Sequence, residues 1–238
     1  MCPFISQLGL KKTLSSARTN IGNPIDQRRT RSDFQRAGIA LSCHDSLLYD
    51  TCYLMIGSDL KSYYHARKYP IWKATMDDEF NSLQKNATWD LVSLPPGRKL
   101  VQCKCVFWKK KFADGKNWKY KAKLFAKGFS QVQWVDYHET FSPMAKMDSI
   151  RLVLSIAASK HWEVHHMDVK SAFIHGDLHE EIYMKNPKVY ISDPSLVIKL
   201  YKSLYGLKQT PRSWYAKMDA SLLSQNFQRW KYNPNVYL

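Results

Sequence analysis

The strongest constraint on the fold is a pair of alternating runs on either side of Asp114-Gly115, a turn dipeptide that supplies positive φ at low cost. Successive side chains of a strand point to opposite faces. On the first run Val101, Cys103, Cys105 and Phe107 share a face, and on the second Trp118, Tyr120, Ala122, Leu124 and Ala126 share one. Lys119, Lys121, Lys123 and Lys127 are left opposite. The pattern predicts an antiparallel hairpin with one face packed on a core and the other a row of lysines. From the residues alone that row has two readings: a surface that binds phosphate, or a solvated face that guards a sheet edge.

Composition bears on which partner such a row would meet. The 238 residues are 45% hydrophobic and 24% charged, enough apolar material for one good core or two small ones. A formal net charge of +16 points to a polyanionic partner, with nucleic acid the first candidate and a basic surface kept for solubility the bland alternative. No apolar run approaches the length of a bilayer span, and Met1-Cys2-Pro3-Phe4-Ile5 lacks the basic lead and full hydrophobic stretch of a secretion signal. An intracellular chain without a membrane partner is expected. Cys2, Cys43, Cys52, Cys103 and Cys105 are scattered and odd in number, which favours reduced thiols over a disulfide framework. Cys103 and Cys105 look like half a zinc site, but no second Cys or His pair follows at ligand spacing, so they read as buried strand residues.

Along the chain, residues 1–68 read as a flexible basic linker or tail, with Arg18, Arg28, Arg29, Arg31 and Arg36 and little apolar periodicity. Ordered structure is expected from Tyr69-Pro70, where Trp72, Met76, Phe80 and Leu83 recur at helical spacing. A strand over Trp89–Leu94 closes at Pro95-Pro96-Gly97. Ile150, Val153, Leu154, Ala157 and Ala158 predict a largely buried helix, and Val164 to Val169 a strand. Thr210-Pro211 opens a last helix as N-cap and first residue, with Trp214, Met218 and Leu222 as its stripe.

Six blocks, in order, carry a resemblance. They are W-K-A-T-M-D-D-E-F (Trp72 to Phe80), N-A-T-W-D-L-V (Asn86 to Val92), Y-K-A-K-L-F-A-K-G-F-S-Q (Tyr120 to Gln131), D-Y-H-E-T-F-S-P (Asp136 to Pro143), H-M-D-V-K-S-A-F-I-H-G-D-L (His166 to Leu178) and K-S-L-Y-G-L-K-Q-T-P-R-S-W-Y (Lys202 to Tyr215). From about Trp72 to Leu238 the chain resembles the reverse transcriptase of copia-type retrotransposons. The resemblance implies an α+β fold, an incomplete right hand made of polymerase fingers and a partial palm with packed helices on an antiparallel sheet. Residues 69–148 would be the fingers-like region and 149–238 the partial palm. The implied activity is RNA-directed DNA synthesis by two-metal nucleotidyl transfer, with two Mg²⁺ ions, dNTPs, an RNA or DNA template-primer and other parts of the retroelement polyprotein as partners.

The same resemblance implies residue roles. Lys121, Lys123 and Lys127 lie where the family grips the triphosphate and template backbone, with Lys123 standing where the family usually has Arg. Asp168 looks like the first palm carboxylate, shared by both metal ions, and the Val169 carbonyl like a second ligand. Phe173, a core residue by spacing alone, looks like the ring that excludes a ribose 2′-hydroxyl, with Ser171 and Ala172 beside it in the nucleotide pocket. Gly206 resembles the point where backbone approaches the templating base and nucleotide, and Gln209 supplies polar reach. Asp177 reads as a turn residue, Glu180 and Glu181 as the start of a solvated strand, and His165 and His166 as strand residues.

Some positions depart from the pattern. Cys105 stands where the family usually has Trp, and Trp134 where it often has the Gly of a tight turn. In the family a Tyr-x-Asp-Asp hairpin follows the segment corresponding to Asn233–Leu238, so the sequence predicts a chain truncated before that motif, with little or no polymerisation of its own. The competing reading is a non-catalytic basic module, or a degenerate relic, that binds nucleic acid through its lysine face.

Overall fold

A computed structural model of the chain describes residues 40–41, 63–111, 118–187, 190 and 193–238. The Asp114-Gly115 turn and nearly all of the expected basic tail lie outside the described residues. The elements in chain order are β1 (Ala40–Leu41), α1 (Tyr63–Ala66), α2 (Pro70–Lys85), β2 (Trp89–Ser93), β3 (Leu100–Val101), β4 (Cys103–Lys111), β5 (Trp118–Ala126), α3 (Met147–Ser159), β6 (Asp177–Met184), β7 (Leu196–Lys202), α4 (Thr210–Ser224), β8 (Arg229–Trp230) and β9 (Asn233–Tyr237). Short 3₁₀ turns occupy Gly128–Ser130 and Ala172–His175. The class is α+β.

The chain divides into two compact units. One comprises Asp45–Ser142 and Ser171–Met218. Its four-stranded sheet runs β2-β7-β6-β3, antiparallel except for the short β3–β6 pair, and β4 and β5 form a separate antiparallel hairpin from Cys103 opposite Ala126 to Lys111 opposite Trp118. Alternation decides the hairpin's faces as the sequence predicts: Ala122, Leu124 and Ala126 are buried, while Lys119 is exposed. Leu83 of α2 joins Val101, Leu124, Ile174, Ile182, Ile198 and Leu204 in the main core. A second cluster gathers Ala66, Trp72, Met76, Phe107 and Ala122, with the Trp72 ring edge-on to Phe107 at 5.4 Å and to Tyr120 at 4.8 Å. Each buried Leu, Ile, Val, Met or Phe among them contributes roughly 1.5–3 kcal/mol.

The α2 stripe differs from the expected one by a single residue. The buried positions are Trp72, Met76, Glu79 and Leu83, spaced four, three and four, so Glu79 rather than Phe80 completes the packed face. Phe80 is half-buried and stacks on Tyr190 at 4.2 Å. Ordered structure also begins before Tyr69, because Ala66 of the one-turn α1 is fully buried in the second cluster. A four-residue helix is too short to leave a periodic signal.

The other unit comprises Met1–His44, Pro143–Lys170 and Asp219–Leu238. Its sheet has the order β1-β9-β8, and Val236 and Tyr237 are buried in β9. The Tyr237 hydroxyl donates to Asp219 Oδ1 at 2.8 Å, and Asn233 Nδ2 donates to Ser149 Oγ at 2.6 Å. Two expectations fail here. Helix α3 forms where its periodicity predicts, but only Ala157 is buried and Leu152 and Leu154 are about half exposed, because periodicity gives a helix a face without supplying what covers it. Val164 to Val169 is irregular apart from a single bridge at Asp168, since apolar alternation makes a strand only where a ladder partner runs alongside it.

Thr210 corrects a third expectation. Its hydroxyl donates to the Leu204 carbonyl at 2.6 Å, tying the helix start to the preceding loop instead of capping α4. Trp134 has φ +67°, the left-handed backbone a glycine would favour; its N–H donates to the Tyr137 carbonyl at 2.8 Å, and its side chain is 71% exposed.

Candidate nucleotide site

Lys123 is where three chain segments meet. It points from β5 with its ammonium 2.5 Å from Glu79 Oε2 on α2, and it donates to Ser171 Oγ at 3.2 Å. The Tyr205 ring lies 5.5 Å from the same nitrogen, within cation–π range. Ser171 has φ +55°, a left-handed conformation that turns the chain sharply into the Ala172–His175 turn. That turn is fixed behind by the Ser203 hydroxyl, which donates to the Phe173 carbonyl. Phe173 is buried and presents its ring edge-on to Tyr205 at 5.0 Å, while Ala172 is half-buried.

Two glycines set the approach of backbone to backbone beside Tyr205. Gly206 has φ +93°, and a Cβ there would lie 2.1 Å from the Ala126 carbonyl oxygen. A Cβ on Gly128 would lie 2.0 Å from the Gly206 carbonyl oxygen. The Ala126 N–H donates to the Tyr205 carbonyl at 2.8 Å, so the end of β5 and the 204–207 loop are laced at a distance only glycine permits.

Gln209 is buried, and both ends of its amide are engaged: Nε2 donates to the Asp136 carbonyl at 3.0 Å, and Oε1 accepts from Gln131 Nε2 at 3.1 Å. The Lys208 ammonium donates to the Gln131 carbonyl at 3.3 Å and to the Tyr137 hydroxyl at 3.1 Å. Lys121 and Lys127 are half-buried on the lysine side of β5 and just beyond it. The sequence-derived residues Lys123 and Ser171 are thus in direct contact, and Phe173 and Gly206 are linked through Tyr205. Glu79, Tyr205 and Ser203 complete the arrangement, and sequence reasoning gave none of them a role at this site. The signal for Glu79 was present in its spacing from Trp72, Met76 and Leu83.

Asp168 and Val169 belong to the unit with Pro143–Lys170. Asp168 is exposed and Val169 half-buried. Among the described residues no group of three or more His, Cys, Asp or Glu side chains could hold a metal ion. The carboxylates that follow in the sequence belong to the other unit and have partners of their own: Asp177 pairs with Lys217 at 3.0 Å, and Glu181 pairs with Lys199 at 3.1 Å and Arg98 at 2.5 Å. The Lys199 hydrogen bond and charge, then Arg98, hold the Glu181 carboxyl below its usual range. Hard divalent cations take six or more clustered oxygens, which one exposed carboxylate and one carbonyl do not provide.

Cys103 and Cys105 are free thiols in β4, as the strand reading predicts, but they are half-buried where it expected full burial. Burial, with smaller contributions from Cys103 and Glu79, pushes the Cys105 thiol up to about 12, and burial raises Cys103 as well. Neither is primed as a metal-binding or nucleophilic thiolate. The groups this arrangement brings together suit recognition of an anion: a fixed ammonium, a hydroxyl, the buried Phe173 ring and the half-buried Tyr205 ring.

Residues 86–238 match the family model described as reverse transcriptase (RNA-dependent DNA polymerase). The chain is 50% identical over 175 residues to the retrovirus-related Pol polyprotein from transposon TNT 1-94 of Nicotiana tabacum, covering 73% of this chain and 13% of that protein. It is 44% identical over 159 residues to the Pol polyprotein from transposon RE1 of Arabidopsis thaliana, covering 66% and 11%, and 41% identical over 177 residues to that from RE2 of the same plant, covering 73% and 12%. The chain spans about an eighth of the length of these relatives. No solved structure matches at a significant level. Among the described residues no helix is long and apolar enough to cross a membrane.

Proposed function

The chain belongs to the reverse transcriptase family of retrotransposon Pol polyproteins, and from that premise we propose that it supplies the nucleotide-binding part of RNA-directed DNA synthesis. In this reading residues 69–148 act as fingers and 149–238 as part of the palm of a right-hand polymerase. Lys121, Lys123 and Lys127 contact the triphosphate and the template backbone. Ser171 and Ala172 line the nucleotide, and the Phe173 ring limits the space for a 2′-hydroxyl. Gly206 lets backbone approach the nucleotide and templating base, and Gln209 holds that loop through its bonds to Asp136 and Gln131. The supporting observation is the hydrogen bond from the Lys123 ammonium to the Ser171 hydroxyl. It joins the lysine hairpin directly to the turn that follows the Asp168 motif, as one binding surface for an anion requires.

The partners in this proposal are an RNA or DNA template-primer, dNTPs and other parts of the polyprotein. Mg²⁺ is the proposed metal, with Asp168 and the Val169 carbonyl among its ligands. The described residues do not by themselves fit a pair of such ions, because they offer one exposed carboxylate where the pair needs several. Binding without efficient synthesis is the expected behaviour of this chain.

The test is primer extension on an RNA template with dNTPs and Mg²⁺, run beside Asp168→Asn and beside a salt titration of template-primer binding. The expected result is salt-sensitive binding by both proteins with little or no extension. Absence of both template-primer and dNTP binding would sink the proposal. Robust extension abolished by Asp168→Asn would mean that the metal site is complete in this chain.

A further inference from the structure

We infer that Glu79 is an internal counter-ion that sets how strongly Lys123 attracts a nucleotide triphosphate. The inference rests on the reading of Lys123 as a triphosphate contact. Glu79 sits on the packed face of α2 with only 7% of its surface exposed, although a carboxylate in such a position is costly to bury. One oxygen meets Lys123 at 2.5 Å; the other, Oε1, is buried without a hydrogen-bond partner among the described residues. Packing that leaves a carboxylate half-satisfied makes Lys123 its principal source of compensation.

The consequence falls on Lys123. An ammonium has three N–H donors, and here one goes to Glu79 and one to Ser171. A phosphate that reaches the third meets a cation with an anion directly behind it, so much of the attraction at that distance is cancelled. Lys123 is only about one-fifth exposed, so water screens the two charges less than it would at an open surface. The Ser171 hydroxyl accepts from Lys123, which leaves its own O–H to donate to a phosphate oxygen. The site is therefore preorganised in geometry and restrained in charge. Replacing Glu79 by Gln keeps an acceptor of the same shape for Lys123 and removes the repulsion of a multiply charged ligand.

The experiment measures binding of dTTP to the purified chain by titration calorimetry at low and moderate salt, for wild type, Glu79→Gln, Glu79→Asp and Lys123→Met. Lys123→Met is expected to weaken binding several-fold. Glu79→Gln is expected to tighten it several-fold with a steeper salt dependence, while Glu79→Asp, which keeps the charge, does not tighten it. A purely structural role for Glu79 would move the Gln and Asp variants the same way. Thermal melts accompany each variant, and Glu79→Met makes the same charge change if the Gln variant does not fold. If Lys123→Met weakens binding but neither charge-removing variant tightens it, the counter-ion inference is overturned and the reading of Lys123 stands. If wild type does not bind dTTP, or Lys123→Met binds it unchanged, the underlying reading falls and takes the inference with it.

Discussion

From Ser171 to Gln209 several groups are held by named partners: the Phe173 carbonyl by Ser203, the Tyr205 carbonyl by Ala126, and the Gln209 amide by Asp136 and Gln131. From Lys160 to Lys170 the chain is exposed at every position but Val169, and apart from the Asp168 bridge it has no regular structure. The two stretches adjoin in sequence, and both carry residues with proposed roles in one reaction. Packing alone can build an anion-binding surface, since hydroxyls, glycines and a lysine are positioned by a core. Gathering carboxylates for a cation pair is costlier, because like charges brought together repel unless a metal, a proton or nearby donors offset them. The proposed nucleotide side is therefore formed by the fold, and the proposed metal side is one acid, Asp168, that the fold leaves exposed.

The sharpest way to break this contrast is to press on the packed side. Gly206→Ala places a methyl 2.1 Å from the Ala126 carbonyl on a backbone with φ +93°, so a strand end must move as well as a strained residue form. A loss of roughly 4 kcal/mol or more is expected in denaturant unfolding. A loss below about 1 kcal/mol would mean that β5 and the 204–207 loop are not laced as described.

Lys123→Met comes next. It strands the Glu79 carboxylate in the core edge, and breaking a buried pair from one side costs more than the pair contributes. Allowing for the water that reaches Lys123, about 2–3 kcal/mol is expected in the same assay. Glu79→Gln should cost less, because the lysine it leaves behind can turn toward solvent. The reverse order would show Lys123 to be the more buried partner.

A pH titration sharpens the comparison at the inner face of the hairpin. Burial raises Cys105 from an ordinary value of 9.0 to about 12, so the folded state favours the protonated thiol. The stability this contributes is fully present below 9.0 and is lost as the unfolded chain ionises first, between 9.0 and about 12. Cys105→Ala should flatten the alkaline limb of the stability profile between those values. A profile unchanged by the substitution would place Cys105 in water.

How much of this was legible in the sequence follows from the range of each signal. The hairpin, α2, β2 and α3 rest on local periodicity and stand at or within a few residues of their expected bounds. The lysine row and the apolar face of β5 follow from alternation alone. Glu79 was legible in principle from its spacing to Trp72, Met76 and Leu83, but a search for apolar periodicity passes over a carboxylate and takes Phe80 instead. The Thr210 hydroxyl reaches Leu204, six residues back, where a local capping rule does not look. The strand expected over Val164–Val169 and the burial expected for α3 both depended on a partner from distant sequence. Lys123 meeting Ser171 spans 48 residues, and only the resemblance brought the two into one motif set.

The smallest expected effect on stability is the one that isolates the bare side. The Asp168 side chain is exposed and its carboxylate makes no ion pair or hydrogen bond among the described residues, so Asp168→Asn removes a charge without removing a side-chain contact. Stability should stay within about 0.5 kcal/mol of wild type, as for surface substitutions away from caps and networks. That neutrality makes the variant informative about chemistry, since any change in extension or metal dependence would then arise at the reacting atoms and not from unfolding. A stability change well beyond that range would mean that Asp168 is held by contacts of its own, and the contrast between a built nucleotide side and a bare metal side would no longer stand.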